Sequence, residues 1–219
     1  MRKNNKIICL VPALEKNAYS EKGDLVSWGD TTLFEWKLAQ LRDLNFPKEI
    51  VVTTPSKKII SICKRNNVKI LFRKNKLQLN QLHKLVGRKF KNRLILWLNT
   101  TSPFLNKRKL EKFVKKYLKN KKKYDSAFTY LELKEYFFKK NKPINFDPEK
   151  PAVSRRIIAP LRQVTGSAYL ISANHLQKTG SLFGYKPLMF KLDWFSSLEI
   201  KSVSELENYR FLISKYFKK

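Results

Sequence analysis

A short, uninterrupted apolar run near the N-terminus limits what this chain can fold into. Ile7-Ile8-Cys9-Leu10-Val11 shows no polar alternation and is stopped by Pro12. A strand buried on both faces of a sheet reads this way, whereas a strand with one wet face alternates. The strand is placed at Lys6–Val11. Similar runs recur at Glu49–Thr54, Val68–Phe72, Arg93–Leu98 and Ser126–Tyr130. Between them lie segments of helical period. The first holds Leu33, Phe34, Trp36, Leu38 and Leu41. The second, capped by Ser56, turns Ile59, Ile60, Ile62 and Cys63 inward. A third covers Leu77–Val86. The fourth places Leu110, Phe113, Val114, Tyr117 and Leu118 within the basic run Lys107–Lys123. Strands alternating with helices predict a mostly parallel sheet covered on both faces. The expected fold is a three-layer α/β sandwich with Lys6–Val11 near its centre.

The rhythm breaks at about residue 131. Residues 131–163 carry Pro143, Pro148, Pro151 and Pro160 with Tyr136, Phe137, Phe138 and Phe146 among them, the composition of an extended, looped excursion. Regular structure resumes at Ser167–Ser172, with a helix near Ala173–Lys178, a strand at Pro187–Leu192 and a final helix from about Val203. The chain is 42% hydrophobic, enough for one sizeable core. It therefore reads as a single domain, 1–219, with 131–163 as an inserted segment. The apolar run at the N-terminus is too short for a signal sequence or a membrane span. Cys9 and Cys63 sit in apolar contexts without metal-ligand spacing and read as reduced core thiols of a cytoplasmic protein.

The net charge of +30 raises the question of a polyanionic partner. The lysines are spread along the chain, and the densest run doubles as an amphipathic helix with a solvated face. A genome rich in Lys codons gives the same bias with no partner. No RNP-like aromatic stretch, clamp loop or zinc-finger spacing accompanies the charge. Glycine-rich dinucleotide and P-loop signatures are absent too. In an open parallel sheet, ligands dock at the carboxyl ends of the strands. Two loops fall there. Pro12–Asp24 follows the first strand and offers Lys16, Lys22 and Gly23. Asn99-Thr100-Thr101-Ser102-Pro103 follows the fourth and offers an amide and hydroxyls. His83 and His175 have no ligand-like partners by spacing and read as structural.

In this order the residues resemble the cytidylyltransferases that activate sialic-acid-type sugars, with their Kdo-type relatives. Ile7-Ile8-Cys9-Leu10-Val11-Pro12-Ala13 resembles the family's opening strand, and Lys22-Gly23 falls at its Lys-Asn step. Thr32-Leu33-x-x-Trp36 resembles the helix that follows, and Val51-Val52-Thr53-Thr54 the second strand. Asn99-Thr100-Thr101-Ser102-Pro103-Phe104 is similar to Gln-Pro-Thr-Ser-Pro-Leu. Thr165-Gly166-x-x-Tyr169-Leu170-Ile171 resembles a late Asn-Gly-x-x-Tyr-Ile segment. Leu198-Glu199-Ile200-Lys201-Ser202 stands where the family has Val-Asp-Ile-Asp-Thr. Two departures are plain: Leu14 replaces an arginine, and Lys201 replaces the second of two aspartates that help hold magnesium.

The resemblance implies a Rossmann-like α/β/α sandwich of the nucleotide-diphospho-sugar transferase type and a homodimer joined through 131–163. It implies CTP as substrate, Mg²⁺ as cofactor, and transfer of a cytidylyl group to a keto-sugar acid in lipopolysaccharide or capsule biosynthesis. Lys22 and Lys16 would meet the triphosphate. Ala13, Ser20, Lys22, Asn99, Thr101 and Ser102 would bind the nucleotide. Arg155, Arg156, Arg162 and Gly166 would bind the sugar acid, an arginine fork suiting its carboxylate. Glu199 would hold the metal. Two other readings stay open: a member that binds sugar or nucleotide without turnover, and a basic RNA-binding protein.

Overall fold

Alternate side chains of β1 (Ile7–Pro12) point into two different cores, which is why its sequence is apolar throughout. The computed structural model describes residues 7–46, 48–74, 77–151 and 154–216. Lys6, the expected start of this strand, lies outside them. After β1 come a long loop with a 3-10 turn at Gly23–Leu25 and a small hairpin, β2 (Ser27–Trp28) and β3 (Thr31–Thr32). Then follow α1 (Leu33–Arg42), β4 (Lys48–Thr54), α2 (Lys57–Arg65), β5 (Lys69–Phe72), α3 (Leu79–Lys89), β6 (Leu94–Trp97) and α4 (Lys107–Asn120). The second half contains β7 (Ser126–Leu133), a ribbon of β8 (Phe138–Lys139) and β9 (Lys142–Pro143), then β10 (Leu161–Ser172). It ends with α5 (Ala173–Thr179), β11 (Pro187–Lys191), α6 (Trp194–Ser197) and α7 (Val203–Tyr216).

Seven strands form one sheet in the order β11-β7-β10-β6-β1-β4-β5. β1 is interior, parallel to both β4 and β6, and β4–β5 and β7–β11 are also parallel. Only β10 runs against its neighbours β6 and β7. The chain returns to it from the β8–β9 ribbon, without the crossover a parallel neighbour needs. Strand β7 runs on to Leu133 and β10 begins at Leu161, and these two residues are partners. The part that leaves the sheet is therefore 134–160, shorter at both ends than the excursion marked in the sequence.

One face of the sheet packs Cys9 and Val11 against Phe34, Leu38 and Leu41 of α1, Ile59 and Cys63 of α2, and Phe113 and Val114 of α4. The other packs Ile8 and Leu10 against Leu82 and Val86 of α3 and Leu176 of α5. This is the expected three-layer sandwich. Ser56 caps α2 as its sequence suggests, accepting from the Ile59 N–H at 3.2 Å. Leu118 departs from the expected inward set of α4 and is 40% exposed. Both cysteines are free and buried, and burial pushes the Cys9 thiol up to about 12. No helix of the described residues is long and apolar enough to cross a membrane.

A third cluster was not legible beforehand. Trp28 of the hairpin, Leu33, Phe104, Leu198, Ile200, and Leu206 and Ile213 of α7 pack together. It holds the segment 198–200 against the loop that follows β6.

Candidate active site

Asp24 closes the loop after β1 at its neck. Its carboxylate accepts from the Leu14 N–H at 2.6 Å, the Thr100 hydroxyl at 2.6 Å and the Tyr19 hydroxyl. The Asp24 N–H returns a bond to the Leu14 carbonyl at 2.8 Å. Gly23 lets the chain turn in so tightly. Its φ is +50°, and a Cβ there would lie 2.3 Å from the Leu14 carbonyl oxygen. Burial pushes the Asp24 carboxyl up, against the pull of these donors and of the Arg73 charge. Burial and the Asp24 charge both hold the Tyr19 phenol protonated.

The loop after β6 is fixed from several sides. The Asn99 amide donates to the Gly166 carbonyl at 2.9 Å and its oxygen accepts from the Trp97 indole at 3.1 Å. Thr100 is spent on Asp24. Thr101 reaches Glu199 at 3.4 Å. Ser102 is fully buried. Helix α1 grips the end of the loop: Lys37 Nζ donates to the Ser102 carbonyl at 2.8 Å, while the Trp36 indole and the Gln40 amide both donate to the Pro103 carbonyl.

Lys37 stands in the buried stripe of α1, where an aliphatic residue would be ordinary, and desolvation pulls its ammonium down to about 7. The unfolded chain keeps that proton up to about pH 10.5. Folding therefore bears the full cost below pH 7 and sheds it as pH rises towards 10.5. Lys37→Met should raise the unfolding free energy in urea by about 1–3 kcal/mol at pH 7, the Ser102 carbonyl bond lost notwithstanding, with a smaller gain at pH 10. An equal or negative change at both pH values would contradict this.

Between the two loops lies a cleft of about 260 Å³, lined by Pro12, Leu14, Asn17, Tyr19, Asp24, Arg73, Asn99, Thr100 and Thr101. It opens at the carboxyl ends of β1, β5 and β6, where an open α/β sheet docks ligands. Larger hollows lie elsewhere: one between Phe46 and α4, one beneath the ribbon at Tyr136 and Phe146, and one beside Arg42, Lys48 and Glu49. None of these three gathers buried charged or hydroxyl side chains as this cleft does.

Arg73 was missed in the sequence. It directly follows β5, is 7% exposed, and its Nε has no partner among the described residues. Burial pulls its guanidinium down and the Asp24 charge works against that, so a buried cation faces the cleft. The rule that singled out the loops after the first and fourth strands applies equally to the residue after the third.

Asn99 and Thr101 are backed by a break in β10, whose register with β7 shifts between Val164 and Tyr169. Gly166 sits in the break. Its N–H donates to Glu199 at 3.3 Å, and a Cβ there would fall 2.0 Å from Glu199 Oε1. Glu199 is paired with Lys201 at 3.3 Å. The donor set does not fit a magnesium ion held by this chain. No three His, Cys, Asp or Glu side chains gather among the described residues, the Asp24 carboxylate is taken up by its three donors, Glu199 is engaged by an ammonium, and an ammonium has no lone pair to give a metal. Glu199, expected as a metal ligand, is turned to the Lys201 ammonium instead. Gly166→Ala should fold normally, because the flexible end of Glu199 can swing aside. It should nevertheless lower turnover by about tenfold or more through the loss of that seat. An alanine variant with unchanged turnover would separate Glu199 from the site.

The remaining expected residues lie as follows. Ala13 is buried, its N–H donating to the Thr53 carbonyl at 3.0 Å. The Ser20 carbonyl accepts from Asn17 and Gly23 N–H groups. Lys16 pairs with Glu21 at 2.6 Å on the surface, and Lys22 is exposed on the same loop; neither lines the cleft. Arg155 pairs with Glu135 at 3.0 Å on the ribbon, beside exposed Arg156. Arg162, in β10, lays its guanidinium over the Tyr130 ring at 5.4 Å. None of the three lines the cleft.

The chain matches the cytidylyltransferase family over residues 24–180 and belongs to it. Its fold is shared with CMP:2-keto-3-deoxy-manno-octonic acid synthetase solved with CTP, at 12% identity and a TM-score of 0.73, over 96% of this chain and 99% of that one. A cytidylyltransferase from Leptospira borgpetersenii is 17% identical with a TM-score of 0.67, over 98% of this chain and 89% of that one. The 4-diphosphocytidyl-2C-methyl-D-erythritol synthase from Anaerococcus prevotii is 11% identical with a TM-score of 0.68, over 97% of both chains. No curated protein sequence matches the chain. The chain is thus an enzyme of the cytidylyltransferase family.

Proposed function

We propose that this enzyme transfers the cytidylyl group of CTP to a hydroxyl of a keto-sugar acid of the sialic-acid or Kdo type. The sugar oxygen bonds to the α-phosphorus, and the bond from that phosphorus to the bridging oxygen breaks. The electron pair leaves on pyrophosphate and the hydroxyl proton passes to water. The cleft at the carboxyl ends of β1, β5 and β6, with buried Arg73 beside the Asn99–Thr101 loop, carries this reading. Its support is family membership and a fold shared with a CTP-bound synthetase.

In this reading Arg73, Asn99 and Thr101 contact the nucleotide, and the backbone of Ala13 and the loop through Ser20 shape its seat. Lys22, helped by Lys16, extends from that loop to the triphosphate. Ser102 acts through its backbone, as the point where α1 anchors the loop. Arg155, Arg156 and Arg162 receive the sugar carboxylate on the side of Gly166. The enzyme works in the cytoplasm, in keeping with its two buried free thiols, and supplies an activated sugar for lipopolysaccharide or capsule. It pairs with a second copy through the ribbon, where Phe138, Ile144 and Ile157 are 59%, 49% and 74% exposed. A monomeric mass at micromolar concentration would count against the pairing.

The loop assignment has its own test. Lys22→Ala should cut pyrophosphate release from CTP by on the order of 10²–10³ while leaving the fold intact. Lys115→Ala, on the solvated face of α4, should change it little, because water and salt screen that charge. Equal activity of the two variants would reduce the loop to a connection.

A further inference from the structure

The segment 199–201 lies along the cleft loop, with the Ile200 N–H donating to the Thr101 carbonyl at 2.8 Å. Ile200 itself is 1% exposed and locked in the third core cluster. In an extended segment, residues two apart project to the same side, so Glu199 and Lys201 both turn away from that core. Glu199 is seated in the space left by Gly166, against the Gly166 N–H and the Thr101 hydroxyl. Lys201 is fixed at both ends. Its N–H donates to Glu205 at 2.7 Å, at the start of α7, and its ammonium lies 3.3 Å from Glu199. The Lys201 side chain stays 56% exposed, while Glu199 beneath it is 16% exposed. The result is a half-exposed ammonium paired with a largely covered carboxylate, beside Thr101, which lines the cleft.

We propose that Lys201 is a catalytic cation of the transfer reaction, contacting the β- and γ-phosphate oxygens of CTP, and that Glu199 is the positioning residue that aims it. The chain thus supplies from its own side chain positive charge that two carboxylates would otherwise recruit as a metal ion. As the bond between the α-phosphorus and the bridging oxygen breaks, its electron pair moves onto the departing pyrophosphate, and Lys201 meets that charge. No proton is transferred by Lys201 in this step. An ammonium placed in advance where charge develops is effective because it does not have to reorganise during the reaction. The inference rests on the cytidylyl-transfer reading.

The experiment uses the full chain and its Lys201→Ala, Lys201→Arg and Lys201→Asp variants, all checked for folding by thermal melting. CTP binding is titrated calorimetrically in EDTA, Mn²⁺ binding to the chain alone is followed by its paramagnetic resonance signal, and pyrophosphate release is measured with the sugar acid that the wild type accepts. Wild type is expected to bind CTP in EDTA. Lys201→Ala should lose about tenfold or more of that affinity and about 10²–10³ in turnover, and Lys201→Arg should restore most of the affinity. Lys201→Asp should gain Mn²⁺ binding that wild type lacks, and its CTP binding should become dependent on the metal. Lys201→Ala binding CTP in EDTA as tightly as wild type, or releasing pyrophosphate equally fast, would overturn this inference alone. A folded wild-type chain that binds no CTP would overturn the cytidylyl-transfer reading, and this inference with it.

Discussion

Asp24→Ala should lower the unfolding free energy by about 3–5 kcal/mol and abolish CTP binding. The carboxylate is 4% exposed and satisfies three donors at once: the Leu14 N–H and the hydroxyls of Tyr19 and Thr100. Removing it leaves those donors buried without partners and takes away the acidic charge that acts on Arg73. Each unsatisfied buried donor costs about 1–3 kcal/mol, and breaking a buried charge contact adds to that, although the terms do not sum independently. In a domain of this size the loss corresponds to a fall in Tm of roughly 10 °C. Urea denaturation and calorimetric titration with CTP check the two effects. Asp24→Asn, which keeps one acceptor oxygen, should fall between wild type and alanine. A variant of wild-type stability would mean that the loop is held by Gly23 and the backbone alone.

Arg73→Met should behave in the opposite way. Turnover is expected to fall by about 10²–10³, while stability should change by no more than about 1 kcal/mol. The guanidinium is buried at a desolvation cost, its Nε has no partner among the described residues, and it faces the cleft. A methionine of similar length fills the space without that cost, so the fold tolerates the change and ligand binding does not. Steady-state pyrophosphate release and thermal melting, done side by side, test the contrast with Asp24. A large loss of stability with unimpaired turnover would make Arg73 a structural partner of Asp24 and no more.

The layers of the fold were legible because periodicity reports burial. β1, α2 and α4 each carry their apolar residues at the spacing that their cores demand. The antiparallel course of β10 was not, because a sequence run does not encode the direction of its partner. The early start of that strand at Leu161 was hidden for a related reason. Its first residues pair with β7 beyond the main layers and are largely exposed, so they lack an apolar signature. At the site, the loops at 12–24 and 99–103 followed from their place after strands. Asp24, Arg73 and Lys37 did not, because buried charges look in sequence like solvated ones, above all in a chain of net charge +30. Their environments are set by Leu14, Thr100 and Ser102, from 10 to 76 residues away. The engagement of Glu199 by Lys201 was likewise a matter of contact, although the lysine itself stood in plain view.

Cytidylyl transfer to a keto-sugar acid is tested most directly by pyrophosphate release from CTP, with each other nucleoside triphosphate as control, across a panel of keto-sugar acids. Release is expected only when CTP and one or more members of the panel are both present, and is expected to be lost in Arg73→Met. A folded chain that releases pyrophosphate with no sugar acid, yet binds RNA with an affinity that falls steeply as salt rises, would overturn the transferase reading and assign the positive charge to a nucleic acid.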